Sequence, residues 1–300
     1  MQPVIQQTPE DEYHHEPSKP SQLIEIGSEA IEPLEAFVSV VRYFHRYRNL
    51  LYSFVVNDLR FKYVGSAIGF FWTVIDPILE LAIYTFVFSV LLKVRFAPEG
   101  DTVNYALFLF CGMITWFNIQ ESLSRCTSII NENAHLIKKM NFPSAILPTH
   151  VIISGMFNQI VREFILIIGL LLSGYGLSYH AIFVPIIMLL QILFTLGLGM
   201  LTATLSVYFK DISHIVKAGL MIWMFMTPIF YPPASFPRQF YILLVLNPLA
   251  HLVGMYQELI LNQRFPHQGS VIIFATSALF SFALGTFFFI RHQHEFADLV

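Results

Sequence analysis

The stretch YHAIFVPIIMLLQILFTLGLGMLTATLSVYF, Tyr179 to Phe209, decides the fold. It carries no acidic or basic residue after His180. A helix of about 20 apolar residues crosses a hydrocarbon core, and only helices and closed barrels satisfy their backbone polar groups in lipid. The run is continuously apolar rather than alternating, so it reads as a helix and not as a barrel strand. The chain is an integral membrane protein, and its function has to be sought among membrane functions.

Composition extends this reading to the whole chain. Hydrophobic residues make up 55% and charged residues 12% of the sequence, against about 25% charged in soluble domains. Net charge is −3, which provides no electrostatic case for nucleic acid. Cys111 falls in an apolar segment and Cys126 just past its polar end; two isolated thiols make neither a disulfide framework nor a metal site. The opening MQPVIQQTPEDEYHHEPSKP lacks the basic-then-apolar order of a cleaved signal peptide. Residues 1–35 are acidic, polar and Pro-containing, and are expected to form a flexible cytoplasmic tail. The adjacent His14 and His15 read as part of that solvated tail rather than as metal ligands.

Residues 36–62 place Phe37, Val40, Val41, Phe44, Leu51, Phe54 and Val55 at helical spacing, with Arg42, His45, Arg46 and Arg48 among them. Such a basic amphipathic helix suits the headgroup layer, lying in its plane. Six spans are expected after it, near Gly65–Leu92, Tyr105–Leu123, Ile146–Leu172, Tyr179–Phe209, His214–Phe230 and Val271–Ile290. Segment 231–268 is semi-apolar and broken by Pro232, Pro233, Pro237, Pro248 and Pro266. It predicts two short helices, Phe236–Leu246 and Pro248–Leu261, neither long enough to span comfortably. The expected fold class is therefore all-α integral membrane.

Basic residues set the orientation. With the amino terminus inside, the inner flanks hold Arg42, Arg46, Arg48, Arg60, Lys62, Arg125, Lys138, Lys139, Lys210, Lys217 and Arg291. The outer flanks hold only Lys93, Arg95, Arg238 and Arg264. Both termini are then cytoplasmic and the 231–268 hairpin faces outward.

No G-x-x-x-x-G-K-[ST], H-E-x-x-H, G-x-S-x-G or C-x-x-C sequence occurs, so no local signature supports an enzyme. The glycines Gly65, Gly69, Gly197 and Gly199 read as close helix packing rather than as a phosphate cradle. The most distinctive polar piece is the loop SRCTSIINENAHLIKKMNFPSAILP, Ser124–Pro148. Its Ile129, Ile130, Ala134, Leu136 and Ile137 can form one apolar face of a short helix, leaving Asn131, Glu132, Asn133, Lys138 and Lys139 for water or a partner. Phe142-Pro143 and Pro148 then end it and start the next span.

Taken in order, FKYVGSAIGFFWTVIDPILELAIYTFVFSVLL, NENAHLIKKMNFPSAILP, LGLGMLTATLSVYFKDISHIVK, MTPIFYP and LNPLAHLVGMYQELI resemble the permease subunit of ABC type-2 polysaccharide exporters, which move O-antigen, capsule or teichoic acid. The resemblance runs from about residue 36 through the closing EFADLV. It implies a six-span half-transporter working as a homodimer, with an amphipathic interface helix at about 36–62. It implies a cytoplasmic coupling helix at about Ile129–Lys139 that docks on a separate ATPase, using Ile129, Glu132, Asn133, Leu136, Lys138 and Lys139. The 231–268 hairpin would correspond to outward gate helices, with Phe236, Tyr241, Leu244, Asn247 and Pro248 as gate residues. No cofactor is expected in this chain, since ATP and Mg would be bound by the two copies of the partner ATPase. The other implied partners are a second copy of the chain, a polyprenyl-diphosphate-linked glycan and membrane lipids.

Aromatic residues make up 15% of the chain, and 30 residues are Phe. Phe70, Trp72, Tyr84, Trp116, Trp223 and Phe230 are candidates for a pore that passes sugars, since a ring offers an apolar face to sugar C–H groups. Core packing and interfacial belts are the plainer use of each ring. Four charges fall inside expected spans: Asp76, Glu80, Arg162 and Glu163. Each costs roughly 2.5–3.5 kcal/mol to insert, so they should face protein or water. An ion pair between Glu80 and Arg162 is the favoured reading. A proton path and a contact to a lipid diphosphate through Arg162 are the alternatives. The rival functions are a drug or small-lipid exporter of the same superfamily, a proton-coupled transporter, and a membrane glycosyltransferase. His135, His150, His214 and His251 are scattered, which does not favour the last.

Overall fold

The computed structural model describes residues 42–43, 45–62, 68–91, 102–139, 142–174, 176–233 and 236–300. The expected tail at 1–35, the start of the interface helix, Gly65, Lys93 and Arg95 lie outside them. The chain divides into two compact units, Met1–Arg46 and Tyr47–Val300. In the first, the described residues Arg42, Tyr43, His45 and Arg46 are helical. Everything that follows concerns the second.

The second unit opens with α1 (Arg48–Phe61), in which no residue is fully buried. A 3₁₀ turn (Gly69–Phe71), α2 (Trp72–Tyr84) and a π-helical segment (Thr85–Leu91) make up the described part of the first expected span. Pro77 sits inside α2, where it withholds one backbone donor from the helix. Next come α3 (Thr102–Cys126), two short helices α4 (Ile129–Glu132) and α5 (Ala134–Lys139), and α6 (Ile146–Leu172). A 3₁₀ turn (Tyr179–Phe183) leads into α7 (Val184–Tyr208), with proline in its first turn, and α8 (Ile212–Met226) follows. The hairpin region gives a 3₁₀ turn (Arg238–Phe240), α9 (Tyr241–Leu246) and α10 (Pro248–Ile260). The chain closes with α11 (Gln268–His292) and α12 (Phe296–Leu299).

Among the described residues, four helices are long and apolar enough to cross a bilayer, or five if the bent pair in 238–260 counts as one. The six expected spans are thus matched in length at the second, third, fourth and sixth positions. At the fifth, α8 has 15 residues, about 22 Å of helix, short of a hydrocarbon core of about 30 Å. At the first, the α-helix gives way to π turns at Thr85.

The centre of the bundle is α3, buried on nearly every side from Tyr105 to Leu123, and α10, buried almost throughout. Their Phe110, Ile114, Leu252, Val253 and Tyr256 pack with Phe194 of α7 and Phe274 of α11 in one core. The most extensive helix pair is α7 with α11. Its closeness comes from two glycines: a Cβ at Gly197 would stand 2.2 Å from the Ser281 carbonyl oxygen, and one at Gly285 only 1.9 Å from that of Gly197. Gly199 leaves room for Cys126 and Ile152 in the same way, each 3.0 Å from where its Cβ would be. Gly69 is different: φ is +59° and no side chain crowds it, so it serves the backbone turn ahead of α2, not packing. Ile78, Leu79 and Ile83 of α2, Met221, Ile222 and Phe225 of α8, and Phe280 and Phe287 of α11 remain exposed.

Candidate functional site

One end of the bundle gathers the charged residues. Asp58 of α1 accepts from Arg125 of α3 through both carboxylate oxygens, at 3.0 and 2.5 Å, and from the Ser154 hydroxyl of α6. Lys62 adds an ion pair to Glu121 of α3 at 2.9 Å. Phe54 packs on the rings of Phe142 and His150, 5.8 and 5.2 Å away. Together these contacts clamp α1 across α3 and α6. Burial by itself would raise the Asp58 acid; the hydrogen bonds from Arg125 and Ser154 and the nearby positive charge outweigh it and hold the group below the usual carboxylate range.

The loop Ser124–Pro148 lies at the same end. The single helix expected over Ile129–Lys139 is a broken pair: the Asn133 side chain donates to the Ile129 carbonyl at 2.9 Å, and the helix restarts at Ala134. This is the local competition with helical hydrogen bonding that asparagine favours. Ile129 and Ile130 are buried, Glu132 and Lys138 are exposed, and Asn133 and Leu136 lie between. The side chain of Lys139 is outside the description. α12 packs against α5 and α7, with Phe296 buried and its ring edge-on to Phe289 at 5.3 Å.

Of the four charges expected inside spans, Arg162 and Glu163 are neighbours in sequence but face different surroundings, as successive helical positions must. Arg162 stands 3.9 Å from Glu80, an ion pair too long to be a hydrogen bond, and its guanidinium lies 5.6 Å from the centre of the Phe117 ring. Glu163 is buried in the bundle and accepts from Gln159 at 2.8 Å. Gln159 in turn exchanges hydrogen bonds with Gln191, which donates to Asn118 and accepts from Tyr256. This polar knot ties α3, α6, α7 and α10 together at the core. Asp76 lies on the exposed side of α2.

The five expected gate residues are all among the described ones. The two helices on either side of Asn247 meet at 85°. Asn247 caps α10 by accepting from the Leu249 amide, takes the Trp223 indole N–H at 2.8 Å, and donates to Thr227 at 3.0 Å. It fastens the bend to the end of α8, and Pro248 starts α10 where proline is best tolerated. Leu244 is buried while Tyr241 is 51% exposed; Phe236 is partly buried and faces Tyr231 at 5.9 Å. Burial raises the Tyr231 phenol above its usual range.

Among the candidate pore rings, Trp72, Tyr84, Trp223 and Phe230 are partly exposed. Trp116 is 1% exposed and donates to Gln120 within its own helix. The side chain of Phe70 is outside the description. Sequence reasoning passed over Asp58, Ser154 and the amides Asn118, Gln159 and Gln191. The amides carried a readable signal, being polar groups placed inside apolar runs. Among the described residues, no group of three or more His, Cys, Asp or Glu side chains could hold a metal ion.

Four helices long and apolar enough to cross a bilayer, packed with a bent hairpin and a polar loop at one end, make this an integral membrane protein. The sequence matches the model of the ABC-2 type transporter family over residues 51–261, and the chain belongs to that family. It is 28% identical over 265 residues to the O-antigen export system permease protein RfbA of Myxococcus xanthus, covering 88% of this chain and 100% of that protein. An RfbA of Klebsiella pneumoniae, also an O-antigen export system permease protein, is 26% identical over 84% of this chain and 95% of its own. The polysialic acid transport protein KpsM of Escherichia coli is 21% identical over 69% of this chain and 79% of its own.

Proposed function

We propose that this chain is the membrane-spanning subunit of an ATP-driven exporter that moves a lipid-linked polysaccharide outward through a channel between two copies. The observation that carries this reading is the alignment over the whole length of an O-antigen export permease, within a family of ABC-2 transporters. A separate ATPase, in two copies, would bind ATP and Mg and dock on α4 and α5, where Glu132 and Lys138 stand exposed. The exposed apolar faces of α2 and α8 are available for the second copy or for lipid. The excess of Lys and Arg at the Asp58–Arg125 end supports a cytoplasmic placement of that end and of both termini in the inner membrane. The 85° hairpin at Asn247 would then lie on the outer side, where it can close the channel.

The test is Leu136→Pro. Proline costs about 3 kcal/mol in a helix interior, and α5 has only six residues, so the damage stays in the loop. The expected outcome is normal membrane insertion, loss of the ATPase from the purified complex, and loss of surface polysaccharide. Export retained with the ATPase still bound would refute the docking assignment.

A further inference from the structure

Between α2, α3 and α6, on the Asp58–Arg125 side of the bundle, a cleft of ≈ 230 Å³ is lined by Glu80, Phe117, Gln120, Glu121, Ser124 and Arg162. Its chemistry is mixed. Glu121 is neutralised by Lys62 at 2.9 Å. Glu80 and Arg162 stand 3.9 Å apart without sharing a hydrogen bond, and their side chains are 28% and 15% exposed. The Glu80 Oε2 atom is buried and accepts no hydrogen bond from the described residues. Gln120 uses its Oε1 to accept from Trp116 and so keeps its two amide donors for the cleft. Ser124 adds a hydroxyl that can donate or accept, and Phe117 supplies an apolar wall.

We propose that this cleft is a sugar-binding site, holding one unit of the glycan before it enters the channel. The proposal rests on the polysaccharide reading above and adds where the chain touches the cargo. A neutral sugar ring presents vicinal hydroxyls that both donate and accept, and has an apolar C–H face. The cleft answers each property: a carboxylate to accept, a guanidinium and an amide to donate, and a phenyl wall. Groups that would otherwise stay unpaired in a partly desolvated site discriminate strongly for such a ligand. A diphosphate is the poorer fit, because Glu80 sits beside the only guanidinium among the lining residues and would repel it. At ≈ 230 Å³ the cleft is below the roughly 300–1,000 Å³ of pockets for drug-sized ligands, which suits a single ring.

The test uses the full chain with its ATPase in the producing host, whose own lipid-linked glycan is the probe. A photo-reactive benzoylphenylalanine replaces Ile83, which is 57% exposed one turn from Glu80 and outside the cleft lining, so this variant is expected to keep exporting. After irradiation the expected product is the chain joined to material stained by antiserum against the host's surface polysaccharide. That stain should survive mild acid, which cuts the bond between sugar and diphosphate. Adding Gln120→Ala, Glu80→Gln or Arg162→Gln, at matched membrane levels and with the ATPase still co-purifying, should lower the yield by about tenfold for a lost charge-assisted contact and less for Gln120. A product whose polysaccharide stain is lost in mild acid means that the cleft touches the lipid diphosphate, and overturns the proposal. So does the absence of a product, or a yield unchanged in all three variants. Deleting the chain separates the two readings: surface polysaccharide that persists refutes the exporter function, whereas its loss without a crosslink refutes only the cleft.

Discussion

Replacing Gly285 by alanine tests the α7–α11 contact directly. The new Cβ would stand 1.9 Å from the Gly197 carbonyl oxygen, where ordinary contact begins at 3.4 Å, so the two helices must part by up to 1.5 Å. The nearest atoms are all backbone, and no side-chain rotation can relieve the clash. Overpacking of this kind costs about 1–3 kcal/mol, with a rigid backbone neighbour at the upper end. Against it, alanine in place of glycine gains about 1 kcal/mol of helix propensity. The net expectation is a loss of about 2 kcal/mol, near thirtyfold in the unfolding equilibrium. Gly254 in α10 is the internal control, because its Cβ would meet nothing within 4 Å; Gly254→Ala should be neutral or stabilising by about 1 kcal/mol. The assay is denaturant titration of the purified chain in lipid nanodiscs, following intrinsic tryptophan fluorescence. If Gly285→Ala unfolds at the wild-type midpoint or above it, the backbone-to-backbone packing argument is wrong.

Asp58→Asn should free α1 from α3 and α6, seen as faster proteolysis within Arg48–Phe61 while the rest of the chain resists. The acid is depressed when folded, so the stabilisation it gives is present above its unfolded value of 3.8 and is lost as pH falls through the lower folded value; the wild-type clamp should hold at pH 5 and loosen below about pH 4, whereas the asparagine variant shows no such step. Single cysteines at Gln239 and Glu132, both exposed, should differ towards an impermeant thiol reagent on intact cells: the first labels, the second does not, and the reverse pattern refutes the orientation. A disulfide between copies through Tyr241→Cys should permit ATPase binding but block export until reduced; full export with the crosslink complete would show that the hairpin does not gate.

Much of the bundle was legible because lipid leaves few alternatives. The third expected span coincides with α6 at both ends, Ile146 and Leu172, because Pro143 and Pro148 mark its start and the apolar run ends at Ser173-Gly174. The sequence places the break of the hairpin before Pro248 on the proline alone; the structure adds that Asn247 caps α10 there. The break at Asn133 was not foreseen, since it turns on one side-chain bond to Ile129 that periodicity does not register. The first and fifth spans were judged on apolar length alone, which does not show that α8 stops at Met226 or that π turns begin at Thr85.

The candidate site divides along the same line. Charges in apolar runs drew attention to Glu80 and Arg162, and they do lie on facing helices. Asp58 escaped notice because an acid in a basic amphipathic helix looks like an ordinary solvated residue; only its contact with Arg125, distant in sequence, gives it a role. The same distinction bears on how the chain would work. The Asp58 clamp joins α1 to α3 at the end that carries α4 and α5, and Glu121 and Ser124, within a turn of Arg125, line the cleft. The polar knot of Gln159, Gln191 and Tyr256 continues through the core to α10, whose first turn is held by Asn247 to the end of α8. No hydrogen bond among the described residues joins the two sets: between them on α3 the Asn118 Nδ2 and Ser122 Oγ atoms are buried without a partner, so the link from the Asp58 clamp to the core knot is the α3 helix itself. Hydrogen bonds between helices are individually weak in membranes, about 0.6 kcal/mol on average, so the packing of Phe110, Ile114, Val253 and Tyr256 in the core, and not any single bond of the knot, holds the bundle together.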